Sequence, residues 1–211
     1  MSAFPTVDQV AAAISAHEPM EVPAFPGRSN PNRAGVLVPL FWDPDPVCVV
    51  TIRTSKLREH SGEVVFPGGK PEPDEDLRDT ALREAREELG LVPGRLFGRL
   101  SSVPVYTSSY RLVPWVGQLD AYPSQPNPDE VARVVPLRIS EILHQDFIDG
   151  IPFDYQGVRS LSPVFATGAK PMFGATAHCF LELLHILAPL FETEVPPLAI
   201  GRWTWDDLKP R

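Results

Sequence analysis

One amphipathic helix and the turn before it constrain the fold most strongly. From about Asp74 onward, apolar residues recur at helical spacing, and Gly90 follows as a residue that commonly ends a helix. The apolar stripe consists of Leu77, Ala81, Leu82, Ala85 and Leu89. This spacing predicts that the helix packs inward with one face and leaves an acidic face outside.

The acidic face of this helix places three glutamates close together. On an ideal helix, Glu84 and Glu88 lie about 40° apart, and Glu87 lies about 60° from Glu84 on the other side. Like charges at such spacing repel by about 0.2–0.5 kcal/mol per pair in water. A divalent cation such as Mg²⁺ would convert this repulsion into coordination. The alternative is a solvated surface helix in which Glu87 and Asp79 each pair with Arg83.

The residues FPGG just before the helix favour metal binding. Gly68 and Gly69 allow the backbone to approach a ligand closely and can free a carbonyl oxygen to face a metal. Pro67 stiffens the approach from a predicted strand that ends at Phe66. The turn therefore belongs to the candidate site.

The rest of the chain contains both strand-like and helix-like segments. Runs of β-branched residues bounded by Pro and Asp are typical of strands. We predict strands at 34–41, 47–53, 94–106, 110–120 and 129–139, and helices at 6–17, 139–145 and 174–191. Thr6 is the predicted N-cap of the first helix. This order indicates a mixed α+β fold, and 211 residues suit one globular domain.

The charge of the chain argues against two classes of partner. The net charge is −8, and residues 69–91 account for half of it, with eight acidic and four basic side chains. Nucleic-acid backbones and anionic membranes attract clustered Lys and Arg instead. No apolar run approaches the roughly 20 residues of a membrane-spanning helix. We therefore expect a small-molecule substrate, with neither nucleic acid nor a membrane as partner.

The cysteines and the two termini indicate the compartment. Cys48 and Cys179 are the only cysteines, and each has apolar neighbours, so neither a disulfide framework nor a thiolate metal site is predicted. The first 20 residues lack a basic segment followed by an apolar core, and the final LKPR is not a peroxisomal signal. We therefore expect a cytoplasmic protein.

The turn and the acidic helix together resemble the Nudix box at every fixed position. The matching residues are Gly69, Glu75, Arg83-Glu84-Ala85, Glu87-Glu88 and Gly90-Leu91. The resemblance implies a Nudix fold, which is an α/β/α sandwich with helices flanking a mixed β-sheet. The Pro-rich segment after the first helix and the appended final residues add an N-terminal helix and connector at 1–34 and a C-terminal arm at 193–211, so that the Nudix hydrolase domain is expected at 35–192.

The same resemblance implies a metal cofactor and the residues that hold it. Mg²⁺ or Mn²⁺ would be bound chiefly by Glu84 and Glu88, with Glu87 completing the cluster and the carbonyl of Gly69 as a further ligand. The reaction implied is hydrolysis of a nucleoside diphosphate that is linked to another group.

Further roles follow from the resemblance to the Nudix box. Arg83 would orient a glutamate of the helix, and Glu75 would brace the loop. The catalytic group would consist of Arg83, Glu84, Glu87 and Glu130. The general base is left open between Glu84 and Glu130, because a carboxylate outside the box often approaches the metals in such enzymes.

The stretch before the box resembles a narrower signature, that of coenzyme A diphosphatases. It consists of Arg53, Arg58, Gly62 and the segment 66–69. Thr54 stands where Ser or Ala is usual, and Val49-Val50 stand where Leu is more common. Both departures change side-chain size mildly and leave the charges intact.

The substrate implied by this signature is coenzyme A or one of its derivatives. Coenzyme A carries a 3′-phosphate in addition to its diphosphate, so its site needs fixed cations, and Arg53, Lys56 and Arg58 fit that need. Two alternatives stay open: a Nudix hydrolase of ADP-ribose or of a damaged nucleoside triphosphate, and a non-catalytic Nudix-fold ligand sensor. Pairing of two chains as a homodimer is left open as well.

Overall fold

A mixed β-sheet with helices on both faces forms the centre of the molecule. The computed structural model describes residues 4–56, 60–91, 93–155 and 157–208. The helices are α1 Val7–Ala16, α2 Leu77–Leu89, α3 Ile139–Leu143, α4 Gly174–Leu187 and α5 Trp205–Leu208, and a 3₁₀ turn, Ala188–Phe191, extends α4. The strands are β1 Asn32–Trp42, β2 Pro46–Arg53, β3 Val64–Val65, β4 Gly68–Gly69, β5 Arg95–Arg99, β6 Val103–Pro104, β7 Tyr110–Gln118, β8 Val131–Arg138, β9 Ile148–Tyr155, β10 Val158–Ala166, β11 Pro171–Met172 and β12 Leu198–Ile200.

Strand β1 organises the central sheet because it has neighbours on both sides. It pairs in parallel with β7, with Gly35 opposite Val113 and Leu37 opposite Trp115. On its other side it pairs antiparallel with β2 near its end and with the short β4 near its start. Strands β3 and β8 pair with β2, while β5 and β6 pair with β7. The predicted mixed sheet is therefore confirmed.

Successive side chains along each strand point to opposite sides of this sheet, and both sides are apolar. One face, which includes Val36, Val38 and Leu40 of β1, packs against α1 and α4 in the main core. On the opposite face, Leu37 packs against the apolar stripe of α2. Helices thus cover both sides, which confirms the predicted α/β/α sandwich.

Helix α2 approaches the sheet unusually closely at Gly35. A Cβ atom at this position would lie 2.2 Å from the backbone oxygen of Leu77. The helix begins at Leu77, later than the predicted Asp74, because Asp74 has a left-handed φ of 65° and the Asp76 carboxylate caps the helix. It ends at Gly90, whose φ of 70° is also left-handed, as the sequence predicted.

Two other predictions need correction. The segment predicted as one strand at 94–106 forms the two short strands β5 and β6, and the register of β5 against β7 shifts between Leu96 and Gly98. A second sheet, in the order β11, β10, β9 and β12, was not predicted. Its strands contain Pro152, Pro163 and Gly150. Pro and Gly are uncommon inside strands, so these segments were not recognised as strands from the sequence.

Both terminal segments pack onto the domain. Ile14 of α1 is 1% exposed and belongs to the main core. In the C-terminal segment, β12 pairs in parallel with β9, Trp205 Nε1 donates to the carbonyl of Pro152 at 3.0 Å, and Leu208 is buried. The boundaries at 34/35 and 192/193 between the Nudix domain and the two terminal segments stay predictions.

The last long helix is apolar enough to resemble a membrane span. By length and composition, Gly174–Phe191 could cross a membrane. The sequence-based expectation that no segment comes close to a spanning helix therefore needs correction. Phe180, Leu183 and Leu184 of this helix are fully buried in the main core. Its apolar character is thus explained by its place in the centre of the fold.

Candidate active site

The structure brings the acidic helix close to the end of β2. Arg53, the last residue of β2, reaches Glu88 with an Nη1 to Oε1 distance of 3.4 Å. Thr54 donates its backbone N–H to the carbonyl of Glu130 at 2.9 Å, which holds the loop before β8 beside β2. Glu130 consequently lies within electrostatic reach of both Glu84 and Glu88.

Arg83 connects the glutamates of α2 to the preceding turn. Its Nη1 donates to Glu84 Oε1 at 2.9 Å and to Glu87 Oε2 at 3.2 Å. Its Nε and Nη2 donate to the two carboxylate oxygens of Glu75 at 2.9 and 3.1 Å, and Nη2 also donates to the carbonyl of Lys70 at 3.1 Å. Hydrogen bonds to Glu75, and then to Glu84, raise the pKa of the guanidinium. Arg83 is thus placed to orient Glu84, as the resemblance implied.

Glu75 fixes the turn in front of α2. In addition to Arg83, its Oε2 accepts from Thr80 Oγ1 at 2.8 Å and from the backbone N–H of Glu72 at 3.0 Å. The hydrogen bonds from Arg83 lower the pKa of Glu75 to about 2. The carboxylate is therefore ionised at every ordinary pH, and its contacts are those expected of the bracing residue.

Glu88 is the most buried acid of the cluster. Its side chain is 2% exposed, and its Oε2 has no hydrogen-bond partner among the described residues. Burial raises its pKa to about 8, although Arg53 and the backbone N–H of Gly68 act in the opposite direction. An unpaired buried carboxyl oxygen costs about 1–3 kcal/mol. Such a position in a folded protein is one where a ligand or ion is expected.

Gly69 makes room for the carboxylate of Glu84. A Cβ atom at position 69 would lie 2.1 Å from Glu84 Oε1, so the carboxylate occupies the place of a side chain. The side chain of Glu84 is 16% exposed, and burial raises its pKa against the opposing effect of Arg83. The turn and the helix therefore meet at the two positions that were predicted to share a metal ion.

The oxygen ligands that this cluster offers are of the type that a hard divalent cation binds. Carboxylate oxygens from Glu84, Glu87 and Glu88 are ligands that Mg²⁺ and Mn²⁺ prefer, and one of these oxygens is buried without a partner. Within the described parts of the chain, no group of three or more His, Cys, Asp and Glu side chains converges closely enough to hold a metal ion. In this structure Glu84 and Glu87 both accept hydrogen bonds from Nη1 of Arg83.

The predicted surface pairing on α2 is present only in part. Glu87 is 48% exposed and pairs with Arg83, as the alternative of a solvated helix required. Asp79 lies 4.0 Å from Nη1 of Arg78 instead of pairing with Arg83 as predicted. The buried Glu88 has no place in a solvated surface helix, so the structure favours the site over the alternative.

The three predicted phosphate-binding cations are placed differently from one another. Arg53 is directed at Glu88, and its Nε is buried without a hydrogen-bond partner in the described chain. Lys56 is 67% exposed and pairs with Asp129 at 2.9 Å. Arg58 lies outside the described residues. Their role in substrate binding stays a prediction.

Two residues that the sequence analysis did not select complete the surroundings of the glutamates. Asn127 donates its backbone N–H to the carbonyl of Glu88 at 2.9 Å and so ties the loop of Glu130 to the end of α2. Thr80 is fully buried and supports Glu75. Asn-Pro in the sequence PNPDE signals a turn, but nothing in that signal identifies the helix to which the turn binds.

Comparison with known proteins places this site in a family context. Residues 31–152 match the family model of the NUDIX domain. A mouse protein named mitochondrial coenzyme A diphosphatase NUDT8 is 39% identical over 188 residues, which cover 82% of this chain and 85% of the mouse protein. The human protein of the same name is 39% identical over 170 residues, covering 77% of this chain and 72% of its own length. An uncharacterized Nudix hydrolase NudL from Yersinia pestis (strain Pestoides F) is 37% identical over 133 residues, or 61% of this chain and 66% of that protein.

Proposed function

Because this chain belongs to the Nudix family of hydrolases, we propose that it cleaves the diphosphate of coenzyme A or of its acyl and oxidised derivatives. The products are 3′,5′-ADP and 4′-phosphopantetheine or its acylated form. The observation that carries the proposal is the similarity to two proteins named coenzyme A diphosphatases, which extends over 82% and 77% of this chain and thus far beyond the box. The contact of Arg53 with Glu88 adds support, because it joins the upstream signature to the acidic helix.

In this proposal the acidic cluster holds Mg²⁺ or Mn²⁺ through Glu84, Glu87, Glu88 and the carbonyl of Gly69. When bound, such an ion neutralises diphosphate oxygens and lowers the pKa of an attacking water. Arg83 keeps Glu84 oriented through its 2.9 Å hydrogen bond.

The attacking water also needs a proton acceptor, and in this proposal either Glu84 or Glu130 serves as one. Glu84 and Glu130 lie within electrostatic reach of each other. The water forms a bond to one phosphorus of the diphosphate and gives its proton to one of these carboxylates, while the bridging P–O bond breaks.

A substrate panel tests the proposed specificity. We expect Mg²⁺-dependent cleavage of coenzyme A to exceed cleavage of ADP-ribose and of nucleoside triphosphates, with phosphorus NMR showing that the diphosphate bond is the one cut. Lys56→Gln should raise KM for coenzyme A by about three- to tenfold, because one charge-assisted contact to the 3′-phosphate is lost. Dephospho-coenzyme A lacks that phosphate and should show no such change.

Two results of this panel would contradict the proposal. Faster cleavage of ADP-ribose than of coenzyme A would reject the substrate, and an equal effect of Lys56→Gln on both coenzymes would reject the contact. Arg78→Gln is the matched control, since Arg78 is exposed and lies at the opposite end of α2 from Glu88. It should leave KM unchanged.

Metal binding is expected to strengthen with pH up to about 8. Burial raises the pKa of Glu88 to about 8, and a carboxyl group must lose its proton before it can coordinate a cation. The apparent affinity for Mg²⁺ should therefore rise by up to about tenfold per pH unit between about pH 6 and 8 and then level off. Calorimetric titration with Mg²⁺ measures this directly, and an affinity independent of pH would exclude Glu88 as a ligand.

The compartment and the partners are part of the proposal as well. We propose a cytoplasmic location, although the two buried free thiols fit any reducing compartment and the mouse and human relatives are named as mitochondrial. Fractionation of cells that produce the tagged chain distinguishes a cytoplasmic from a mitochondrial location.

The net charge of −8 supports a small molecule as substrate, without nucleic acid or membrane as partner. The homodimer that the sequence leaves open is not part of the proposal.

A further inference from the structure

The turn between β10 and β11 brings a lysine to the stretch that carries the coenzyme A signature. The ammonium group of Lys170 lies so close to Gly62 that a Cβ atom at position 62 would be 2.5 Å from its Nζ. Gly62 also has a left-handed φ of 69°. Position 62 therefore requires glycine for two reasons, and one of them is the amino group of Lys170.

Gly62 belongs to a hydrogen-bonded neck that consists of Arg53, Gly62 and Glu63. Gly62 donates its backbone N–H to the carbonyl of Arg53 at 3.1 Å, and Arg53 donates its own N–H to the carbonyl of Glu63 at 3.0 Å. The side chain of Arg53 reaches the buried Glu88. Lys170 consequently contacts the direct cross-strand neighbour of the arginine that meets the acidic cluster.

The backbone of Lys170 is fixed by its own turn. Thr167 Oγ1 donates to the carbonyl of Lys170 at 2.6 Å and accepts its backbone N–H at 3.3 Å. Strand β11 follows directly and lies beside β3, with Met172 of β11 and Val64 of β3 both buried in the main core. The turn is thus attached to the domain close to the neck.

The positive charge of Lys170 has no counterion in the described chain. Its Nζ forms no hydrogen bond or ion pair with a described residue. The acid of the neck, Glu63, instead places its Oε2 2.9 Å from Nδ1 of His60. In a chain with a net charge of −8, an uncompensated cation at this place favours an anionic ligand.

Lys170 and Lys56 lie on opposite sides of the segment that follows β2. Strand β2 pairs with β3 along one edge and with β8 along the other. Asp129, just before β8, holds Lys56 on the β8 side. Gly62, shortly before β3, has Lys170 beside it on the β3 side. Two cations on opposite sides of one segment can bind two different anionic groups of one substrate.

We propose that Lys170 is a specificity-determining residue that binds the phosphate on the pantetheine side of the cleaved bond. This inference rests on the proposed function, in which Lys56 binds the 3′-phosphate at the nucleoside end of coenzyme A. The other end of the diphosphate then lies toward the β3 side, where Lys170 donates to its oxygens. The pantetheine arm carries no charge of its own, so this phosphate is the group that a cation can recognise.

Titration calorimetry with 4′-phosphopantetheine tests the contact without turnover, because this product is not cleaved further. In the presence of Mg²⁺, Lys170→Gln should weaken binding by about three- to tenfold, whereas Lys170→Arg should retain most of the affinity. Binding of 3′,5′-ADP should be unchanged in both variants, because it lacks the pantetheine-side phosphate. Arg159→Gln is the matched control and should leave binding unchanged, since Arg159 is an exposed cation at the other end of β10.

Gly62→Ala removes the same contact by a different route. The added Cβ would displace Nζ of Lys170, so Lys170→Gln should have no further effect on binding of 4′-phosphopantetheine in a Gly62→Ala background. Gly168→Ala is the control for backbone strain. Gly168 has a left-handed φ of 75° in the turn of Lys170, but a Cβ atom there would meet no atom within 4 Å. It should leave binding unchanged.

Kinetics with two coenzymes separates Lys170 from Lys56. Lys170→Gln should raise KM by the same factor for coenzyme A and for dephospho-coenzyme A, because both keep the pantetheine-side phosphate. Lys56→Gln should affect coenzyme A alone.

Three results would overturn the inference. These are unchanged binding of 4′-phosphopantetheine in Lys170→Gln, an equal loss of 3′,5′-ADP binding, and full additivity of Gly62→Ala and Lys170→Gln. If the chain does not cleave coenzyme A but binding of 4′-phosphopantetheine still depends on Lys170, the proposed function fails and the contact stands. If coenzyme A is cleaved and Lys170→Gln changes nothing, the contact alone is wrong.

Discussion

Replacement of Glu88 by Gln is expected to abolish hydrolysis and to stabilise the metal-free protein. A lost ligand removes several kcal/mol of stabilisation from the charged transition state, so turnover with Mg²⁺ should fall by about a thousandfold or more. Glu84→Gln should cause a loss of similar size. Steady-state kinetics with coenzyme A and Mg²⁺ measures both.

The stability effect of Glu88→Gln follows from the raised pKa of Glu88. Burial raises this pKa from its ordinary value of 4.5 to about 8, so the folded state binds a proton that the unfolded state releases. The free energy of unfolding of the metal-free protein therefore falls as the pH rises from 4.5 to 8, and stays low above 8. One pKa unit corresponds to about 1.4 kcal/mol. Removal of the charge should thus add about 2–4 kcal/mol to stability at pH 8, as measured by urea unfolding in EDTA.

The control for this prediction is Glu18→Gln, which removes one charge from an exposed position at the end of α1. It should change neither turnover nor the pH dependence of stability by much. Retention of turnover in both Glu84→Gln and Glu88→Gln would show that the metal ligands are assigned wrongly. Destabilisation by Glu88→Gln at pH 8 would show that the carboxylate of Glu88 is satisfied in the folded protein.

The sequence allows the local structure of the site to be predicted well. Helix spacing gave the apolar stripe of α2 and the common arc of Glu84, Glu87 and Glu88, since both depend only on 3.6 residues per turn. The left-handed Gly90 was also predictable, because a glycine after the last apolar position is a common helix end. The error at the start of α2 arose because several acids precede the helix and each of them could serve as a cap.

Long-range contacts were less predictable from sequence. The burial of Glu88 depends on Arg53 and Asn127, which lie 35 and 39 positions away along the chain, so helix spacing alone gives no indication of it. For the same reason, helix spacing does not reveal how exposed each glutamate is, whereas the structure buries Glu88 and exposes Glu87. The pairing of Arg99 with Trp115 between β5 and β7 likewise brings together residues that are distant in the sequence.

Substitution of Gly35 by Ala is expected to be the most disruptive single-methyl change in the fold. The added Cβ would lie 2.2 Å from the backbone oxygen of Leu77 and 3.1 Å from the backbone nitrogen of Ala81, so helix α2 would have to move as a unit. Overpacking of this kind costs about 1–3 kcal/mol, and rigid backbone neighbours favour the upper end of that range. Because α2 carries the glutamates, the shift should also lower turnover about tenfold or more.

The contrast with Gly27 separates this steric effect from backbone strain. Gly27 has a left-handed φ of 73°, but a Cβ atom there would meet no atom within 4 Å. Gly27→Ala should therefore cost about 1–2 kcal/mol through its backbone alone and leave turnover unchanged. Urea unfolding and steady-state kinetics on both variants test the difference. If Gly35→Ala kept full activity, the close approach of α2 to β1 would not be what positions the glutamates.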